Sequence, residues 1–514
     1  MKMKIRSGLK AALLCAGLVA APAFAAPTVQ WEQVWRYEHA NTGVAGQKAE
    51  IPAYDASTDT IWVAGVRGVD VLNARTGSLV QHIDLSGLGD VNSVAIHNGM
   101  AAIAVAAPVH TDPGAVRLVD TRTFADSGTI RVGALPDMVT FTPDGGRILV
   151  ANEGERAVMT DPKSYDPAGS VSVIDVASRT VIATAGFAGV PGTENVRLFP
   201  NKTADVDLEP EYIAVSPDGS KAFVSLQEAN AIGVLDLATN SFSEVISLGT
   251  KDHSLPGMGM DPSDRDGKIE VRQVPVKGMF MPDTVAAYVA GGETYFVTAN
   301  EGDTRDEDVR VKNLKLDPVA FPDAKELQKD ANLGRLTVSP FDGLNADGTH
   351  SELYSYGTRS FSIWDENGNL VYDSGDDFEM LFAQYLPEFY DDERSDNKGP
   401  EPEGLALMGF GDRTLAFIGF ERSLVSNPVA IIAIYDITRP QKSTFLDFIV
   451  SPGDLAPEGL VAFSRGGQHF LAVSSEGSDT TALFRINLVP EPGTMALLFG
   501  ALAAMGLVRR KPRA

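Results

Sequence analysis

The chain has 514 residues, 44% hydrophobic and 22% charged, a composition typical of folded globular protein and not of a disordered or collagen-like chain. Its net charge is -25, and because both ends are basic, the part between them is more acidic still and should repel nucleic acid and anionic lipid. The single cysteine, Cys15, lies in an apolar leader, which excludes disulfides and thiolate sites from the mature chain. Because of its negative charge, we expect the protein to have no nucleic-acid partner.

Residues 1–25 have the features of a secretory signal peptide. A basic start is followed by an apolar run over residues 11–21, and residues 23–25 place alanine at positions -3 and -1 of a signal-peptidase cut. Leu14 occupies the position where a bacterial lipobox requires a small residue, so Cys15 is interpreted as part of the leader and not as a lipid anchor. We expect the protein to be exported, with signal peptidase as a partner during export.

Residues 26–489 contain a repeated pattern. A proline and an acidic residue open a β-type run, and a second strand follows that ends in a polar, acidic step. The acidic residues that follow the prolines are Asp137, Glu211, Asp283, Glu403 and Glu458. The acidic residues at the ends of the second strands are Glu153, Glu228, Glu301, Glu421 and Glu476. A third strand often ends near an aspartate, so each copy has the size of a small antiparallel sheet.

Two weaker copies, near residues 61–72 and 100–120, bring the number of units to seven. Short β-rich units of this length predict an all-β fold, a seven-bladed β-propeller. Only three strands follow Pro457, so we expect segment 29–37 to become the fourth strand of the last blade and to close the ring without an open edge. Two side-by-side β-sandwiches are the alternative.

In a propeller, the start of the first strand and the end of the second strand of each blade lie on the same face. The longest insertions fall on that face too, and they cover residues 156–168, 187–206, 251–275, 303–351 and 376–400. Because functional residues concentrate on loops that a rigid scaffold holds in place, this face is predicted to be the working face.

The ten acidic residues of the repeats would form an acidic rim at the channel mouth. Clustered carboxylates raise one another's pKa unless a cation or a basic side chain compensates, and oxygen-only ligands suit Ca²⁺. The basic side chains that could compensate are Arg156, Arg305, Arg394, Lys398 and Arg422. The sequence leaves three roles open for the rim: structural turns, a calcium site, or catalytic carboxylates.

No other motif predicts a reaction. Segment 261–267 looks like a calcium loop, but setting Gly267 at position six puts Pro262 at position one, so the EF-hand pattern fails. The seven histidines show no zinc-ligand spacing, and no nucleophile elbow or phosphate-binding loop is present in the sequence. The sequence therefore assigns no catalytic residue.

Three distinctive motifs cover residues 359–365, 373–379 and 394–404, the last beginning with Arg394, Ser395, Asp396, Asn397 and Lys398. They resemble the choice-of-anchor I family, which is related to the mesenchyme-specific cell-surface glycoproteins of animals. The resemblance implies a secreted or surface-attached protein and supplies no catalytic set. Its animal relatives are associated with biomineralised matrix, which agrees with calcium affinity, whereas some bacterial relatives carry phosphatase-type labels.

Residues 490–514 begin with Pro490, Glu491 and Pro492, continue with an apolar run over 495–508, and end in a basic cluster. This order resembles the PEP-CTERM sorting signal of Gram-negative bacteria, which an exosortase recognises. The resemblance implies a place in the cell envelope, on the surface or in the extracellular matrix, with transient or permanent membrane attachment by the C-terminal segment. A plain C-terminal anchor is the alternative.

Two functions follow as hypotheses. The favoured one is an exported, non-enzymatic binding or adhesion scaffold whose acidic face binds calcium, and through it an exopolysaccharide or a surface protein. The alternative is a calcium-dependent hydrolase, phosphoesterase-like or lactonase-like, in which Glu301, Glu403 or Glu458 would be metal ligands or a general base.

Overall fold

The computed structural model describes residues 28–158, 164–305 and 307–489. The chain divides into two compact units, one of which is Gln30–Asn487. Most of the other unit, Met1–Val29 with Leu488–Ala514, lies outside the described residues, as do the predicted signal peptide and the sorting residues Pro490, Glu491 and Pro492. Within the described ranges, no helix has the length and apolar character needed to span a membrane.

The described chain is built from 33 short strands. Those before residue 250 are β1 (Thr28–Glu38), β2 (Pro52–Asp55), β3 (Thr60–Gly65), β4 (Gly68–Asn73), β5 (Leu79–Asp84), β6 (Asp90–His97), β7 (Met100–Ala106), β8 (Pro113–Asp120), β9 (Asp126–Ala134), β10 (Pro136–Phe141), β11 (Arg147–Asn152), β12 (Ser170–Asp175), β13 (Thr180–Ala185), β14 (Ile213–Val215), β15 (Lys221–Leu226), β16 (Ala231–Asp236) and β17 (Ser241–Ser247).

The remaining strands are β18 (Thr250–Asp252), β19 (Lys277–Met279), β20 (Val285–Ala290), β21 (Glu293–Ala299), β22 (Val309–Arg310), β23 (Thr337–Val338), β24 (Tyr354–Tyr356), β25 (Phe361–Asp365), β26 (Leu370–Asp373), β27 (Pro402–Phe410), β28 (Arg413–Phe420), β29 (Val429–Asp436), β30 (Thr444–Pro452), β31 (Pro457–Arg465), β32 (Gln468–Ser475) and β33 (Thr480–Val489). The α-helices among the described residues are α1 (Ala204–Asp207), α2 (Ala324–Leu327) and α3 (Asp377–Tyr385). The 3-10 turns are His39–Thr42, Thr193–Asn195, Val311–Asn313, Asp392–Arg394, Pro440–Lys442 and Glu476–Ser478.

Seven antiparallel sheets of four strands account for most of the described chain, so the predicted all-β class is confirmed. Five of them are formed by four consecutive strands: β2–β5, β6–β9, β10–β13, β14–β17 and β27–β30. In a sixth, β20-β21-β25-β26, three strands of an insertion intervene between β21 and β25. The seventh has the order β1-β33-β32-β31, so the segment expected to join the last unit lies beside β33. The first strands contact one another in the order β2, β6, β10, β14, β20, β27, β31 and back to β2.

Burial follows from the position of a strand within its sheet. Every residue of β29 is buried, because this inner strand is covered on both faces by neighbouring sheets and can therefore be continuously apolar. The outer strand β13 alternates exposed and partly buried residues instead. Aromatic rings fill the space between sheets: Phe223 and Phe296 on adjacent sheets have centroids 4.6 Å apart.

Turns of the Pro-Asp-Gly type join the first two strands of several sheets. The Asp144 carboxylate accepts hydrogen bonds from Thr142 Oγ1 at 2.6 Å and from the Gly146 amide at 2.9 Å, and Gly145 has a φ of 70°. Ser216, Asp218 and Gly219 repeat this arrangement. The local sequence thus determines these turns, because an aspartate can bond the backbone two residues on and glycine tolerates the positive φ.

The insertions over residues 251–275 and 303–351 are not the irregular loops that the sequence predicts. Strands β18, β19 and β24 pair in one small sheet and β22 with β23 in another. Apolar residues from both insertions form a separate core that includes Met260, Val311, Phe321, Leu336 and Leu353. The sequence of these insertions shows no clear strand pattern, because their strands are only two or three residues long and are spread over about a hundred positions.

Candidate functional site

Each of the seven first strands carries an acidic residue at or just before its start. These residues, here called the inner acids, are Glu50, Asp90, Asp137, Glu211, Asp283, Glu403 and Glu458. Because the first strands contact one another in cyclic order, the inner acids surround one end of the space between them, here called the mouth. A cavity of about 390 Å³ lies at the mouth and is lined by Glu50, Asp90, Asp137, Asp283, Glu458 and Glu476.

The structure brings all ten acids of the predicted rim to this mouth. Glu211 and Glu403 lie within electrostatic reach of Asp283, and the second-strand acids lie beside the inner acids of their own or neighbouring sheets. The second-strand acids, here called the outer acids, are Glu153, Glu228, Glu301, Glu421 and Glu476. The turn residues Thr142 and Pro143 line a different cavity, of about 450 Å³, between the first strands. The acids and these turns therefore lie at opposite ends of the first strands.

Sequence reasoning missed Glu50 and Asp90, which complete the set of inner acids. The first two repeats lack the Pro-acid pair: Glu50 stands two residues before Pro52, and Asp90 follows Gly89. Their position relative to the strands could have identified them, since both residues lie at or just before the start of a first strand. A search for proline followed by an acid could not find them.

Backbone strain accompanies the Pro-acid step. Leu135, Met281, Glu401 and Ala456 each precede the proline of this step, and each has a positive φ between 46° and 54°. Non-glycine residues rarely adopt this conformation, and such residues concentrate at functional sites. In β10, β27 and β31 the ladder register also shifts directly after the proline. A bulge of this kind re-aims the side chain that follows, here the inner acid.

Backbone hydrogen bonds tie the outer acids to the strained residues. The Glu153 amide donates to Leu135 O at 2.9 Å, and the Glu476 amide donates to Ala456 O at 2.9 Å. Glu421 makes the same 2.9 Å bond to Glu401 O. Inner and outer acids of one sheet are consequently held side by side, although they lie on different strands.

Asparagine side chains fix the ends of two second strands. Asn152 Nδ2 donates to Ser170 O at 3.1 Å and to Ser172 Oγ at 3.0 Å. Asn300 Nδ2 makes the corresponding bond to Ser362 Oγ at 2.9 Å. Both asparagines are fully buried, and each is followed directly by an outer acid. In the repeated Asn-Glu step, the asparagine therefore fixes the end of the strand and the glutamate belongs to the mouth.

The acids at the mouth are poorly solvated. Burial, reinforced by neighbouring carboxylates, raises the pKa of Glu50 to about 8 and that of Asp283 to about 8. Burial raises the pKa of Asp137 to about 6. Burial, and then the neighbouring carboxylates, raise the pKa values of Glu211, Glu403 and Glu458 well above the ordinary glutamate range. In each of these three residues, the Oε2 atom is buried and has no hydrogen-bond partner among the described residues.

Basic side chains compensate the outer acids on one side of the mouth. Arg305 lies 3.2 Å from Glu228 and also pairs with Asp207 and Glu209 at 3.0 and 2.5 Å. The Lys398 ammonium lies 2.5 Å from Glu301. Arg305 and Lys398 are two of the five basic residues that the sequence predicts near the rim, and the insertions carry both of them, so part of the acidity is neutralised internally.

Glu401, which the sequence analysis did not single out, organises the remaining predicted cations. It is fully buried, and its carboxylate pairs with Arg394 at 2.5 Å, Lys398 at 3.0 Å and Arg422 at 3.3 Å. These charges hold the pKa of Glu401 below its usual value despite burial. Arg422 also pairs with Glu421 at 2.6 Å. Among the described acids of the predicted rim, none pairs directly with Arg394, which corrects its expected role as a partner of the rim.

Arg156 differs from expectation as well. Its guanidinium lies 3.6 Å from Asp166, a residue of the same insertion, and not beside a rim acid. Asp166 also bonds Lys202. This arginine therefore stabilises its own loop, because a short-range partner in the insertion was available.

The motif from Arg394 to Lys398 has a structural explanation. Arg359 is buried and donates to Ser395 O at 2.7 Å and to Asn397 O at 2.9 Å. Its other bond reaches Glu379 Oε1 at 2.6 Å. Asp396 pairs with Arg335 at 2.6 Å. Ser395, Asp396 and Asn397 thus anchor the loop that delivers Lys398 to the mouth.

The donor set fits a hard cation. Asp283, Glu301 and Glu403 each offer one oxygen, and these three atoms lie within 4.8 Å of one another. Oxygen ligands in loose arrangement are typical of Ca²⁺ sites, whereas zinc sites use mostly nitrogen and sulfur. Of the described histidines, His110 lines the mouth cavity, with Nε2 4.0 Å from Asp90 Oδ2.

Comparisons with known proteins give one family and two relatives. The family model of the choice-of-anchor I domain matches residues 50–440. Gigasin-3a of Magallana gigas is 31% identical over 201 residues, which cover 32% of this chain and 69% of that protein. The mesenchyme-specific cell surface glycoprotein of Strongylocentrotus purpuratus is 28% identical over 286 residues, 46% of this chain. The match spans only 36% of that glycoprotein's own length.

Solved structures that resemble the chain have low sequence identity. A chain of hydrazine synthase from Kuenenia stuttgartiensis is 13% identical, with a TM-score of 0.48, covering 87% of this chain and 97% of its own. The β-propeller domain of Cps50 (Swd1) from Myceliophteria thermophila is 8% identical, with a TM-score of 0.44, covering 88% of this chain and 99% of its own.

Proposed function

The chain belongs to the choice-of-anchor I domain family, and we propose that it is an exported, surface-associated and non-enzymatic protein that binds calcium at the mouth. We further propose that its sheets form a seven-bladed β-propeller closed by β1. The cyclic contacts of the first strands support this architecture, and so does the position of β1 beside β33. Pairing with β1 covers the edge that β33 would otherwise expose, and it joins the first and the last strand of the described chain.

The observation that carries the proposal is that three of the inner acids have buried carboxylate oxygens without hydrogen-bond partners in the part of the chain that the structure describes. Glu211, Glu403 and Glu458 each have a buried carboxylate oxygen without a hydrogen-bond partner among the described residues. A buried polar atom of this kind is unfavourable unless a proton or a cation satisfies it. Calcium accepts six to eight oxygen ligands in flexible geometry, so it suits carboxylates that come from several different strands.

Calcium titration of the purified protein tests the proposal. After treatment with EDTA, addition of Ca²⁺ should raise the melting temperature, because a ligand that binds only the folded state stabilises it. Mg²⁺ should have a smaller effect, since it demands octahedral geometry and gives up water reluctantly. Glu403→Gln should weaken the calcium effect at least about tenfold in apparent affinity, because it removes a charged ligand.

Glu393→Gln provides the matched control, since Glu393 is exposed and lies outside the mouth. It should leave the calcium response unchanged. Superimposable melting curves with EDTA and with Ca²⁺ for the unaltered protein would remove the calcium site from the proposal.

Export and surface attachment rest on the family, on the similarity to the cell surface glycoprotein of Strongylocentrotus purpuratus and on the signals in residues 1–25 and 490–514. We propose removal of residues 1–25 by signal peptidase and recognition of residues 490–514 by an exosortase, in the envelope or extracellular matrix of a Gram-negative bacterium. Mass spectrometry of the exported protein should give Ala26 as its first residue. A first residue of Met1 on the mature protein would contradict the export proposal.

An exopolysaccharide or a surface protein is the proposed partner. A calcium ion at the mouth would keep coordination positions for oxygen ligands of a partner, and the cavity of about 390 Å³ offers room for a sugar-sized group. Binding to an acidic polysaccharide should therefore require Ca²⁺ and should be lost in Glu403→Gln. Calcium-independent binding would place the partner site elsewhere.

A calcium-dependent hydrolase is the second candidate, favoured by the cavity directly beside buried carboxylates with raised pKa values. The bound ion would supply Lewis acidity, and Glu458 or Glu403 would accept a proton from the attacking water. Turnover of a phosphomonoester or a lactone that requires Ca²⁺ and disappears in Glu403→Gln would favour this candidate. Glycan binding without turnover favours the scaffold.

A further inference from the structure

Lys398 lies among three carboxylates. Its Nζ atom is 2.5 Å from Glu301 Oε1 and 3.0 Å from Glu401 Oε2, and it donates to Gly302 O at 2.7 Å. Glu301, Glu401 and Glu421 each offer an oxygen atom, and these atoms lie within 4.8 Å of one another, a spacing that suits a metal ion. The ammonium group therefore supplies positive charge where three carboxylates converge.

The loop that carries Lys398 is held in place by Arg359. This buried arginine donates to the backbone carbonyls of Ser395 and Asn397, on the same turn as Lys398. Gly399 has a φ of 69°, and a Cβ at that position would meet the Arg359 side chain at 3.1 Å. Lys398 is thus presented by a clamped turn and not by a freely moving loop.

Glu301 belongs to two groups of converging carboxylates. With Asp283 and Glu403 it forms the group at the mouth, and with Glu401 and Glu421 it forms the group around Lys398. Both of its carboxylate oxygens are engaged: Oε1 by Lys398 and Oε2 by Gln227 Nε2 at 2.9 Å. A cation at the mouth and the Lys398 ammonium would therefore draw on the same carboxylate.

The two groups differ in charge balance. Around Lys398, the three carboxylates face the three cations Lys398, Arg394 and Arg422. At the mouth, Glu403 keeps a buried oxygen without a hydrogen-bond partner among the described residues. The group around Lys398 is thus already neutralised, whereas the group at the mouth calls for a cation.

We propose that Lys398 is a resident cation that competes with calcium for Glu301 and so sets the affinity of the mouth for the ion. This inference rests on the calcium binding proposed above. Lys398 acts in two ways: its charge repels a divalent ion nearby, and its hydrogen bond withholds one ligand oxygen. It is a positioning and affinity-determining residue, and no catalytic role is assigned to it.

Calorimetric titration of the full chain with CaCl₂ tests the inference. Lys398→Met keeps the length of the side chain but removes its charge, and it should bind Ca²⁺ at least about tenfold more tightly than the unaltered protein. Lys398→Arg keeps the charge and should stay within about threefold of the unaltered protein. Lys442→Met, at an exposed lysine, makes the same change of net charge and should have no effect beyond about twofold.

A second background distinguishes competition from a merely structural role. In Glu301→Gln, the shared carboxylate is already gone, so adding Lys398→Met should change the calcium affinity much less than it does alone. If Lys398→Met folds poorly, Lys398→Gln is the second variant: it keeps a hydrogen-bond donor without the charge and should still bind Ca²⁺ more tightly than the unaltered protein.

The outcomes separate this inference from the proposed function. Calcium binding by the unaltered protein with equal or weaker binding by Lys398→Met overturns the role of Lys398 alone. If Lys398→Met binds Ca²⁺ and the unaltered protein does not, the result supports competition and contradicts calcium binding by the native protein. Failure of both proteins to bind Ca²⁺ overturns both proposals.

Discussion

At the scale of single residues, the mouth is a set of carboxylates in an unfavourable environment. Strained residues before the prolines, such as Leu135 and Ala456, direct the backbone, and burial raises the pKa values of the acids that follow. Strain and desolvation both cost stability, so they persist only where the surrounding sheets impose them. Glu401 shows the opposite case, a buried acid whose pKa is lowered because three cations surround it.

The raised pKa values predict how stability depends on pH. The pKa values of Glu50 and Asp283, about 8, and of Asp137, about 6, exceed those of an unfolded chain, near 4. The folded state therefore binds protons more tightly, and stability should fall as the pH rises from about 4 to about 8. In EDTA, we expect the melting temperature to decrease from pH 5 to pH 8.

Calcium should reduce that decrease, because it replaces the protons that the acids lose. Carboxylates with lowered pKa values, such as Asp218 at about 2, have finished titrating below this window and do not offset the effect. A melting temperature that stays level or rises in EDTA over the same range would contradict the prediction.

Glu401 supplies a second prediction at this scale. Glu401→Gln leaves Arg394, Lys398 and Arg422 facing a neutral partner, so the free energy of unfolding should fall by about 3 kcal/mol. Urea denaturation at pH 7 measures the change. Glu393→Gln, eight residues earlier and exposed, should change the free energy of unfolding by less than about 0.5 kcal/mol. Equal effects of the two substitutions would show that the pairs of Glu401 contribute nothing specific.

At the scale of elements, the junction of β1 and β33 is held by a buried histidine. His39 follows β1, and its Nδ1 bonds Asp70 on β4 at 2.6 Å. Its Nε2 shares a hydrogen bond of 2.8 Å with Thr481 on β33. Three elements from distant parts of the sequence therefore meet at one side chain, and His82 binds the second oxygen of Asp70 at 2.6 Å.

Removal of this histidine should loosen the junction. We expect His39→Ala to lower the free energy of unfolding by about 2–4 kcal/mol, because it leaves a buried carboxylate with one partner fewer and opens a cavity. Hydrogen exchange should increase in β1 and β33 before it does so in β29. The exposed His110 provides the control, and His110→Ala should leave stability nearly unchanged. Uniform exchange throughout the protein would show that His39 has no local role.

At the scale of the whole molecule, closure by β1 is the feature on which the proposed propeller depends. A variant that lacks residues 28–38 would expose the edge of β33, and an unpaired edge favours association with other chains. We expect a lower melting temperature and self-association in light-scattering measurements. Removal of residues 490–514, a longer deletion that leaves β1 in place, is the control and should change neither property. A monomeric deletion variant with an unchanged melting temperature would contradict closure.

Local sequence was sufficient to predict the sheets and most of the inner acids. Pro136, Pro282 and Pro457 mark strand starts, and the acid that follows each proline takes its direction from the backbone beside it. Turn chemistry at Asp144 works in the same way. Glu50 and Asp90 escaped prediction because their repeats lack the proline, although their strands place them at the same mouth.

Charge compensation, in contrast, was decided by the tertiary structure. Lys398 and Glu301 are separated by 97 positions in the sequence, and Arg305 and Asp207 by 98. Nothing near a carboxylate in the sequence indicates which cation will reach it, because that depends on how the insertions fold over the sheets. Patterns over a few residues thus determined strands, turns and the direction of the acids, whereas the choice between paired and unpaired carboxylates required contacts between segments that only the folded chain brings together.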